Sequence, residues 1–140
     1  MLMQLKKRKY RKSFKGRGWE GRSHRKPDGR TQLQQGDYGL RSREGGRRSA
    51  RQLEAGRRGR RNRRKRAGKV WVKVFTDVPV TKKLREVRMG NGKGSVEFWA
   101  VHVKEGTMRY EVSGVEEGRA REALQKAGDK RLVRTKVVKR

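Results

Sequence analysis

The stretch KVWVKVFTDVPVTKKLREVRMGNGKGSVEFWAV, residues 69–101, sets a glycine-rich loop between two segments with the character of β-strands. In the first segment, every second residue from Val70 to Val74 is valine, which places these side chains on one face of a strand. The last segment continues as SVEFWAVHVK, residues 95–104, and is mostly apolar, as expected for a strand in the middle of a sheet. The stretch therefore predicts a sheet that carries a loop at one end.

The residues that follow predict a third strand and a helix. TMRYEVSG, residues 107–114, alternates in character, and the turn KEGT predicts a hairpin to the preceding strand, because Gly106 is free to adopt a positive φ. VEEGRAREALQKAGDKR, residues 115–131, has the spacing of an amphipathic helix. The inner face of this helix is formed by Ala120, Ala123, Leu124 and Ala127.

The chain then continues as RLVRTKVV, residues 131–138, in which alternating basic residues predict a strand at the edge of the sheet. Together with a second helix nearer the N-terminus, these elements predict an α+β fold. In this fold a mostly antiparallel sheet packs against two helices.

Upstream of residue 69 the composition changes from apolar to basic. Residues 1–68 contain 25 lysines and arginines against 5 acidic residues, whereas residues 69–140 contain 18 against 9. Apolar residues number 14 in the first part and 28 in the second, so only the second can bury a substantial core. We therefore assign residues 1–48 to a basic, RNA-binding N-terminal arm and residues 49–140 to an α+β globular domain.

A basic helix is predicted at the start of this domain, over residues 49–66. Its first residues, SARQ, match a capping box, in which Ser49 accepts a hydrogen bond from the backbone and Gln52 reaches back. The run RRGRRNRRKR, residues 57–66, repels itself, so the helix is expected to need a polyanion such as RNA. A run of the nuclear-localisation type shares this composition but does not explain the cap.

The charge of the whole chain favours nucleic acid as the partner. It carries 43 lysines and arginines against 14 aspartates and glutamates, a net charge of +29. The sequence has no cysteine, which excludes disulfides and thiolate metal sites, and its two histidines lack a second ligand at metal-binding spacing. No apolar run is long enough to span a bilayer, and the N-terminus has no apolar stretch of the secretory type. We therefore expect no membrane partner, no metal and no cofactor.

The loop RMGNGKG, residues 88–94, does not match a nucleotide-binding motif. A P-loop needs glycine where Val87 stands, and serine or threonine where Gly94 stands. A strand rather than a helix follows the loop, which also excludes the dinucleotide fingerprint. Since no nucleophile–base pair is found either, we expect no enzyme. The glycines instead allow backbone N–H groups to approach anions, although a flexible connection between strands is the alternative.

Several motifs resemble the L-sixteen family of bacterial and organellar large-subunit ribosomal proteins. In that family a K-(I/V)-W-(I/V)-(R/K)-V-F strand leads through D-x-P-(I/V)-T and R-M-G-K-G-K-G to a V-E-(Y/F)-W-V strand, as in residues 69–101. SARQLEAGRR resembles its helix start T-A-R-Q-I-E-A-A-R-R, KYRKSFKGR its arm, and YEVSGVEEGRAREAL its final helix. These matches are collinear and span nearly the whole chain.

The resemblance implies an α/β sandwich and a structural protein of the large ribosomal subunit. It implies binding to ribosomal RNA near the peptidyl-transferase region and central protuberance, and contact with aminoacyl- and peptidyl-site tRNA. The implied tRNA-proximal loop consists of Arg88, Met89, Gly90, Gly92, Lys93 and Gly94. Charge and resemblance together assign ribosomal RNA binding to Lys6, Lys7, Arg8, Lys9, Tyr10, Arg11, Lys12, Lys15, Arg17, Arg51, Arg57, Arg58, Arg60, Arg61, Arg63 and Arg64. Neighbouring ribosomal proteins are implied partners, and a homo-oligomer is not expected.

The sequence departs from the family pattern in places. Asn91 stands where the family commonly has lysine, which removes a positive charge, and Lys83 stands where many members have proline. Together with the excess of arginine, these departures slightly favour a mitochondrial ribosome over a chloroplast or bacterial one. The alternative function is a free RNA chaperone or nucleic-acid-compacting protein, because such a protein would have the same charge.

Overall fold

The computed structural model describes residues 3–14, 27, 29–63, 68–130 and 133–140, without the side chains of residues 60–63. The helices and strands within these ranges are β1 (Tyr38–Ser42), β2 (Gly46–Ser49), α1 (Ala50–Arg63), β3 (Lys69–Val72), β4 (Val78–Lys82), β5 (Ser95–Val103), β6 (Met108–Ser113), α2 (Glu117–Asp129) and β7 (Thr135–Lys139). The strands form a four-stranded sheet in the order β3-β6-β1-β7 and a three-stranded sheet in the order β2-β5-β4. Neighbouring strands in both sheets run antiparallel.

This architecture confirms the predicted α+β fold with two helices and antiparallel pairing, although the strands divide between two sheets. Strand β5 lies in the middle of its sheet and β7 at an edge, both as predicted. The predicted inner face of α2 is buried because it packs against α1 and β1. Alternating and helical periodicity are local signals, which explains why these elements were predictable.

The predicted hairpin between the strands of residues 95–104 and 107–114 is wrong. Gly106 does have a positive φ, of 83°, but β5 and β6 belong to different sheets. The turn is instead held to the end of β1, where Gly106 N donates to the carbonyl of Ser42 (2.8 Å) and Ser42 N to that of Thr107 (3.0 Å). The chain therefore passes from one sheet to the other at this point.

Three strands were not predicted from the sequence. Strand β1 and all but the last residue of β2 lie within residues 1–48, so the folded sheets include part of the segment assigned to the arm. The sequences of β1 and β2, YGLRS and GRRS, are short and lack a clear alternation, so their pairing depends on the rest of the sheet. The third, β4, contains Pro79, which an edge strand tolerates because one side makes no ladder hydrogen bonds.

The core joins the helices to the four-stranded sheet. It includes Leu40 of β1, Leu53 of α1, Tyr110 of β6 and Leu124 of α2. The Tyr110 hydroxyl donates to the carbonyl of Leu53 (2.8 Å), which ties α1 to the sheet. Such a buried hydrogen bond contributes about 1 kcal/mol.

The capping box at the start of α1 is present as predicted. The backbone N–H of Gln52 donates to the Ser49 hydroxyl (3.3 Å), and the N–H of Ser49 donates to the Gln52 side chain (3.1 Å). Two N–H groups that the first turn would leave unpaired are thereby satisfied. The cap fixes where α1 begins, immediately after β2.

Two arginines are buried between these elements, and no carboxylate of the described residues is hydrogen-bonded to either. Arg109 is 0% exposed and Arg48 is 2% exposed. Arg109 donates from Nη2 to the Ser42 hydroxyl (2.5 Å), but within the described residues its Nε and Nη1, and Nε and Nη2 of Arg48, have no acceptor. Burial, together with the charge of Arg48, lowers the pKa of Arg109 to about 9. The pair therefore opposes folding more than it supports it.

Replacing this buried charge by an apolar side chain of similar length is expected to stabilise the fold. Arg109→Met should raise the free energy of unfolding by about 1–2 kcal/mol in urea denaturation, because it removes desolvated donors. The exposed Arg119→Met is the matched control and should change stability by less than about 0.5 kcal/mol. Destabilisation by Arg109→Met would contradict this account of the pair.

Candidate nucleic-acid interface

The described part of the N-terminal arm, residues 3–14, runs beside the segment 76–93 and makes contacts along it. The Thr76 hydroxyl donates to the carbonyl of Met3 near the start of the arm. Further along, Arg8 Nη1 donates to the carbonyl of Asp77 (2.9 Å), and Lys12 Nζ donates to the carbonyl of Lys93 (2.7 Å). The arm is therefore laid along the body in the direction of the glycine-rich loop.

The predicted RNA-binding side chains of this part of the arm are on the surface. Exposed positions on it are Lys6, Lys7, Arg8, Lys9, Tyr10, Arg11 and Lys12. The ammonium of Lys9 lies over the ring of Tyr10, 5.6 Å from its centroid. Because these cations are exposed to solvent, phosphates can reach them.

The glycine-rich loop connects β4 to β5 at the end of the three-stranded sheet. Its backbone has positive φ at three consecutive residues, Gly90 (117°), Asn91 (53°) and Gly92 (78°). Asparagine tolerates the left-handed region better than lysine does, so Asn91 suits this backbone even though it carries no charge. The departure from the family pattern is therefore compatible with the backbone conformation of the loop.

A hydrogen bond and a close backbone approach hold the two sides of the loop together. Lys83 Nζ donates to the carbonyl of Gly90 (2.5 Å), so the residue that replaces the family's proline folds the loop back on itself. At Gly94 a Cβ atom would come within 2.6 Å of the carbonyl oxygen of Lys82, which only glycine avoids. Arg88 and Lys93 are exposed, and Met89 is 94% exposed. The loop therefore presents cations and an apolar side chain to solvent.

The structure brings the arm and the loop together, which the sequence alone did not show. Besides the bond from Lys12, the ammonium of Lys93 lies over the ring of Phe14, 4.9 Å from its centroid. Residues about 80 apart in the chain thus form one basic surface. Cation–π contacts of this kind contribute about 0.5–1 kcal/mol when exposed.

The arginines of the basic helix that were predicted to bind RNA differ in whether they are bonded to the carboxylate of Glu54. Arg51 is exposed, but Arg57 donates from Nε and Nη2 to the Glu54 carboxylate (2.8 and 2.6 Å), and Arg58 donates from Nε (3.1 Å). The hydrogen bond from Arg57 is the main reason that the pKa of Glu54 is lowered to about 2. Glu54 therefore neutralises part of the charge that the sequence assigned to RNA.

Some predicted residues cannot be placed. Arg60, Arg61 and Arg63 belong to α1, but their side chains are outside the description. Lys15, Arg17 and Arg64 lie outside the described residues altogether, as does His24. Their assignment to ribosomal RNA stays a prediction.

A buried carboxylate that sequence analysis did not single out fixes the chain just before β1. Glu111 of β6 is 0% exposed and accepts hydrogen bonds from the backbone N–H groups of Gln34 (3.2 Å), Gln35 (2.7 Å) and Gly36 (2.8 Å). Lys73 Nζ lies 3.5 Å from it. The segment 34–36, which connects the N-terminal region to the sheets, is thereby anchored. Alternation predicted only that Glu111 faces away from Tyr110, and gave no sign that this face is buried.

Burial and hydrogen bonding act in opposite directions on Glu111. Burial raises the pKa of its carboxyl group, but the hydrogen bonds from Gln35, Gly36 and Gln34 and the charge of Lys73 lower it. The net effect is a pKa below the ordinary value. Glu111 is therefore a structural anion at neutral pH.

The described residues contain neither a metal-binding cluster nor a membrane-spanning helix. No group of three or more His, Cys, Asp or Glu side chains among them is arranged to hold a metal ion. None of the helices in the described ranges has the length and apolar character needed to cross a bilayer.

Comparison with known proteins gives matches over almost the full chain. The family model described as "Ribosomal protein L16p/L10e" matches residues 5–138. "Large ribosomal subunit protein uL16" of Sinorhizobium medicae and of Rhizobium rhizogenes are each 50% identical over 139 residues, which cover 99% of this chain and 98% of each relative. The protein of the same name from Mesorhizobium japonicum is 47% identical over the same coverage.

Proposed function

Because the chain belongs to the L16p/L10e family of ribosomal proteins, we propose that it is a structural constituent of the large ribosomal subunit. It binds ribosomal RNA near the peptidyl-transferase region and central protuberance, and contacts aminoacyl- and peptidyl-site tRNA. The observation that carries the proposal is the family match over residues 5–138, which includes the arm, the basic helix and the loop. The family is one of ribosomal proteins, in agreement with the expectation of no enzyme.

The surface formed by the arm and the loop supports the RNA-binding part of the proposal. Its exposed lysines and arginines are suited to phosphate contacts, and the glycines of the loop allow its backbone to come close to a ligand. We assign the arm and α1 to ribosomal RNA and the loop of residues 88–94 to tRNA. Neighbouring proteins of the subunit are further partners.

The relatives named above come from bacteria, and the slight preference for a mitochondrial ribosome gains no support from them. A bacterial ribosome fits the comparison, so we propose the bacterial large subunit as the location of this chain.

A free RNA chaperone remains the alternative that the charge would also allow. Washing large subunits at high salt distinguishes the two functions. A component of the subunit should still sediment with the subunits after the wash, and a free chaperone should not. Deletion of residues 69–140 sharpens the test. The truncated chain should lose subunit binding if the protein is a ribosomal component, and should keep strand-annealing activity if it is a chaperone.

The loop is expected to affect tRNA more than assembly. Arg88→Ala and Lys93→Ala should each weaken tRNA binding or slow peptide synthesis by about tenfold, because each removes a charge-assisted contact with the tRNA backbone. The measurement is tRNA affinity and peptide-bond formation in ribosomes whose large subunits contain the variant.

The matched control is Arg85→Ala, which removes an exposed cation from the same connection but outside residues 88–94. It should leave tRNA affinity within about twofold of the original value. Loss of incorporation into subunits, with normal activity in the ribosomes that do contain the variant, would count against a tRNA role for the loop.

A further inference from the structure

The arm and the outer face of the three-stranded sheet enclose a hollow of about 500 Å³. Val78 and Val80 of β4 contribute apolar surface to it, Phe14 lines it from the arm, and Arg47 of β2 and His102 of β5 line it from the neighbouring strands. We call this space the Phe14–Arg47 hollow. Its size is within the range of small-ligand sites, and no acidic side chain is among the described residues that line it.

Aromatic rings and cations are paired at the hollow. Phe14 is 93% exposed, which is unusual for phenylalanine, and the ammonium of Lys93 lies over its ring. Arg47 likewise lies over the ring of Phe98, with its guanidinium carbon 5.9 Å from the centroid. The hollow therefore combines an uncovered aromatic face, a planar guanidinium and positive charge.

A second hollow of about 460 Å³ is also lined by Arg47. Arg51 and Gln52 from the first turn of α1 line it, together with Phe98 and Glu97. Since Arg47 belongs to both, the two hollows adjoin across the face of the sheet. The surface formed by the two hollows thus extends from the arm to the start of the basic helix.

His102 has the character of a neutral hydrogen-bonding group. Burial and the charge of Arg47 lower its pKa, against the opposite effect of Asp77. A neutral imidazole has one donor and one acceptor nitrogen, which suits the edge of a nucleobase.

We propose that the Phe14–Arg47 hollow binds an unpaired nucleotide of RNA, whose base stacks on Phe14 or Arg47 while its phosphates are met by the surrounding cations. None of the residues Arg47, Phe98 and His102 was predicted from the sequence to bind RNA. The proposal rests on the proposed ribosomal function, and adds a site on the sheet to the arm, helix and loop. Stacking on aromatic and guanidinium planes is how proteins hold bases that have left a helix.

An unpaired nucleotide fits better than a double helix. In a duplex the base faces are stacked on each other and only their edges and phosphates are accessible, so Phe14 would remain uncovered. The cations around the hollow favour a polyanion over a neutral or basic peptide. The nucleotide belongs either to ribosomal RNA or to tRNA, which offer the same chemistry.

The test compares Phe14→Leu and Arg47→Lys with Phe75→Leu in ribosomes that contain the full chain. Phe14→Leu keeps an apolar side chain and Arg47→Lys keeps the charge, but each removes a planar stacking surface. Phe75 is an exposed aromatic residue that lies outside the hollow and was not assigned to RNA, and so provides the matched control. Dimethyl sulfate reactivity of unpaired bases is measured on both ribosomal RNA and tRNA.

One unpaired nucleotide should be protected in the original ribosomes and become about tenfold more reactive with Phe14→Leu and Arg47→Lys, but not with Phe75→Leu. Its location in ribosomal RNA or in tRNA identifies the source. The proposal is overturned if no nucleotide responds, if Phe75→Leu produces the same change, or if a peptide of a neighbouring protein cross-links in the hollow. If the proposal fails in one of these ways but the chain is still found in the large subunit, the proposed ribosomal function stands. If the original chain is itself absent from the subunit, the proposed function is refuted.

Binding by the isolated full chain provides a second readout if a variant does not enter ribosomes. Phe14→Leu should reduce affinity for a short single-stranded RNA by about tenfold, and should leave affinity for an abasic strand of equal length unchanged. Equal losses for both strands would show that Phe14 does not contact a base, and would overturn the proposal.

Discussion

Replacing the basic residues of the described arm by glutamine is expected to reduce affinity for large-subunit ribosomal RNA by about a thousandfold near physiological salt. The residues to be changed together are Lys6, Lys7, Arg8, Lys9, Arg11 and Lys12. Each phosphate that loses its cation should lower the slope of log affinity against log salt by about 0.7–0.9. The slope should therefore fall by about 4–5 in binding measured with large subunits depleted of this protein.

The folded body should tolerate this change. The arm side chains are exposed, and their bonds to the carbonyls of Asp77 and Lys93 lie at the surface, where such contacts add little to stability. The main loss should hence be in RNA binding, with the thermal unfolding temperature almost unchanged.

The control removes the same charge from other exposed positions. These are Arg119, Arg121, Lys130, Arg134, Lys136 and Arg140, on or after α2. A much smaller change in the salt slope is expected, because these residues lie outside the proposed interface. Equal losses for both sets would mean that net charge alone governs binding, as in the chaperone alternative.

Glu111→Ala is expected to lower the free energy of unfolding by about 3 kcal/mol in urea denaturation. The substitution leaves the buried N–H group of Gly36 and the part-buried N–H groups of Gln34 and Gln35 without their acceptor, and Lys73 without its counter-charge. Glu105→Ala, at an exposed position, is the control and should change stability by less than about 0.5 kcal/mol. A loss below about 1 kcal/mol for Glu111→Ala would contradict the anchoring role.

The contribution of Glu111 should also depend on pH. Because its pKa is lower in the folded than in the unfolded chain, its ionised form stabilises the fold. This contribution is fully present above the ordinary value of 4.5, and is lost as pH falls through the lower pKa of the folded state. The difference in stability between the original chain and Glu111→Gln should accordingly shrink on acidification, measured against the same urea series at neutral pH.

The same interactions show where sequence reasoning reached its limit. The capping box of Ser49 and Gln52 and the inner face of α2 were predictable, because each depends on residues three or four apart. The buried state of Arg109 and Glu111 was not, since alternation in β6 indicates one apolar face and says nothing of what covers the other. From the sequence, Asn91 was only a missing charge, and the structure added that its backbone has a positive φ, of 53°.

By itself the sequence determined the α+β class, the helices, the central and edge strands, the basic character of the arm and the family. These properties depend on local periodicity, on summed charge and on collinear motifs, all of which can be read from the sequence without the three-dimensional structure. Only the tertiary structure decided that β5 and β6 part into different sheets, that β1 lies inside a sheet, and that Lys12 and Phe14 meet Lys93. The physical reason is that strand pairing and surface assembly gain their free energy from residues far apart in the chain, so no local pattern specifies the partner.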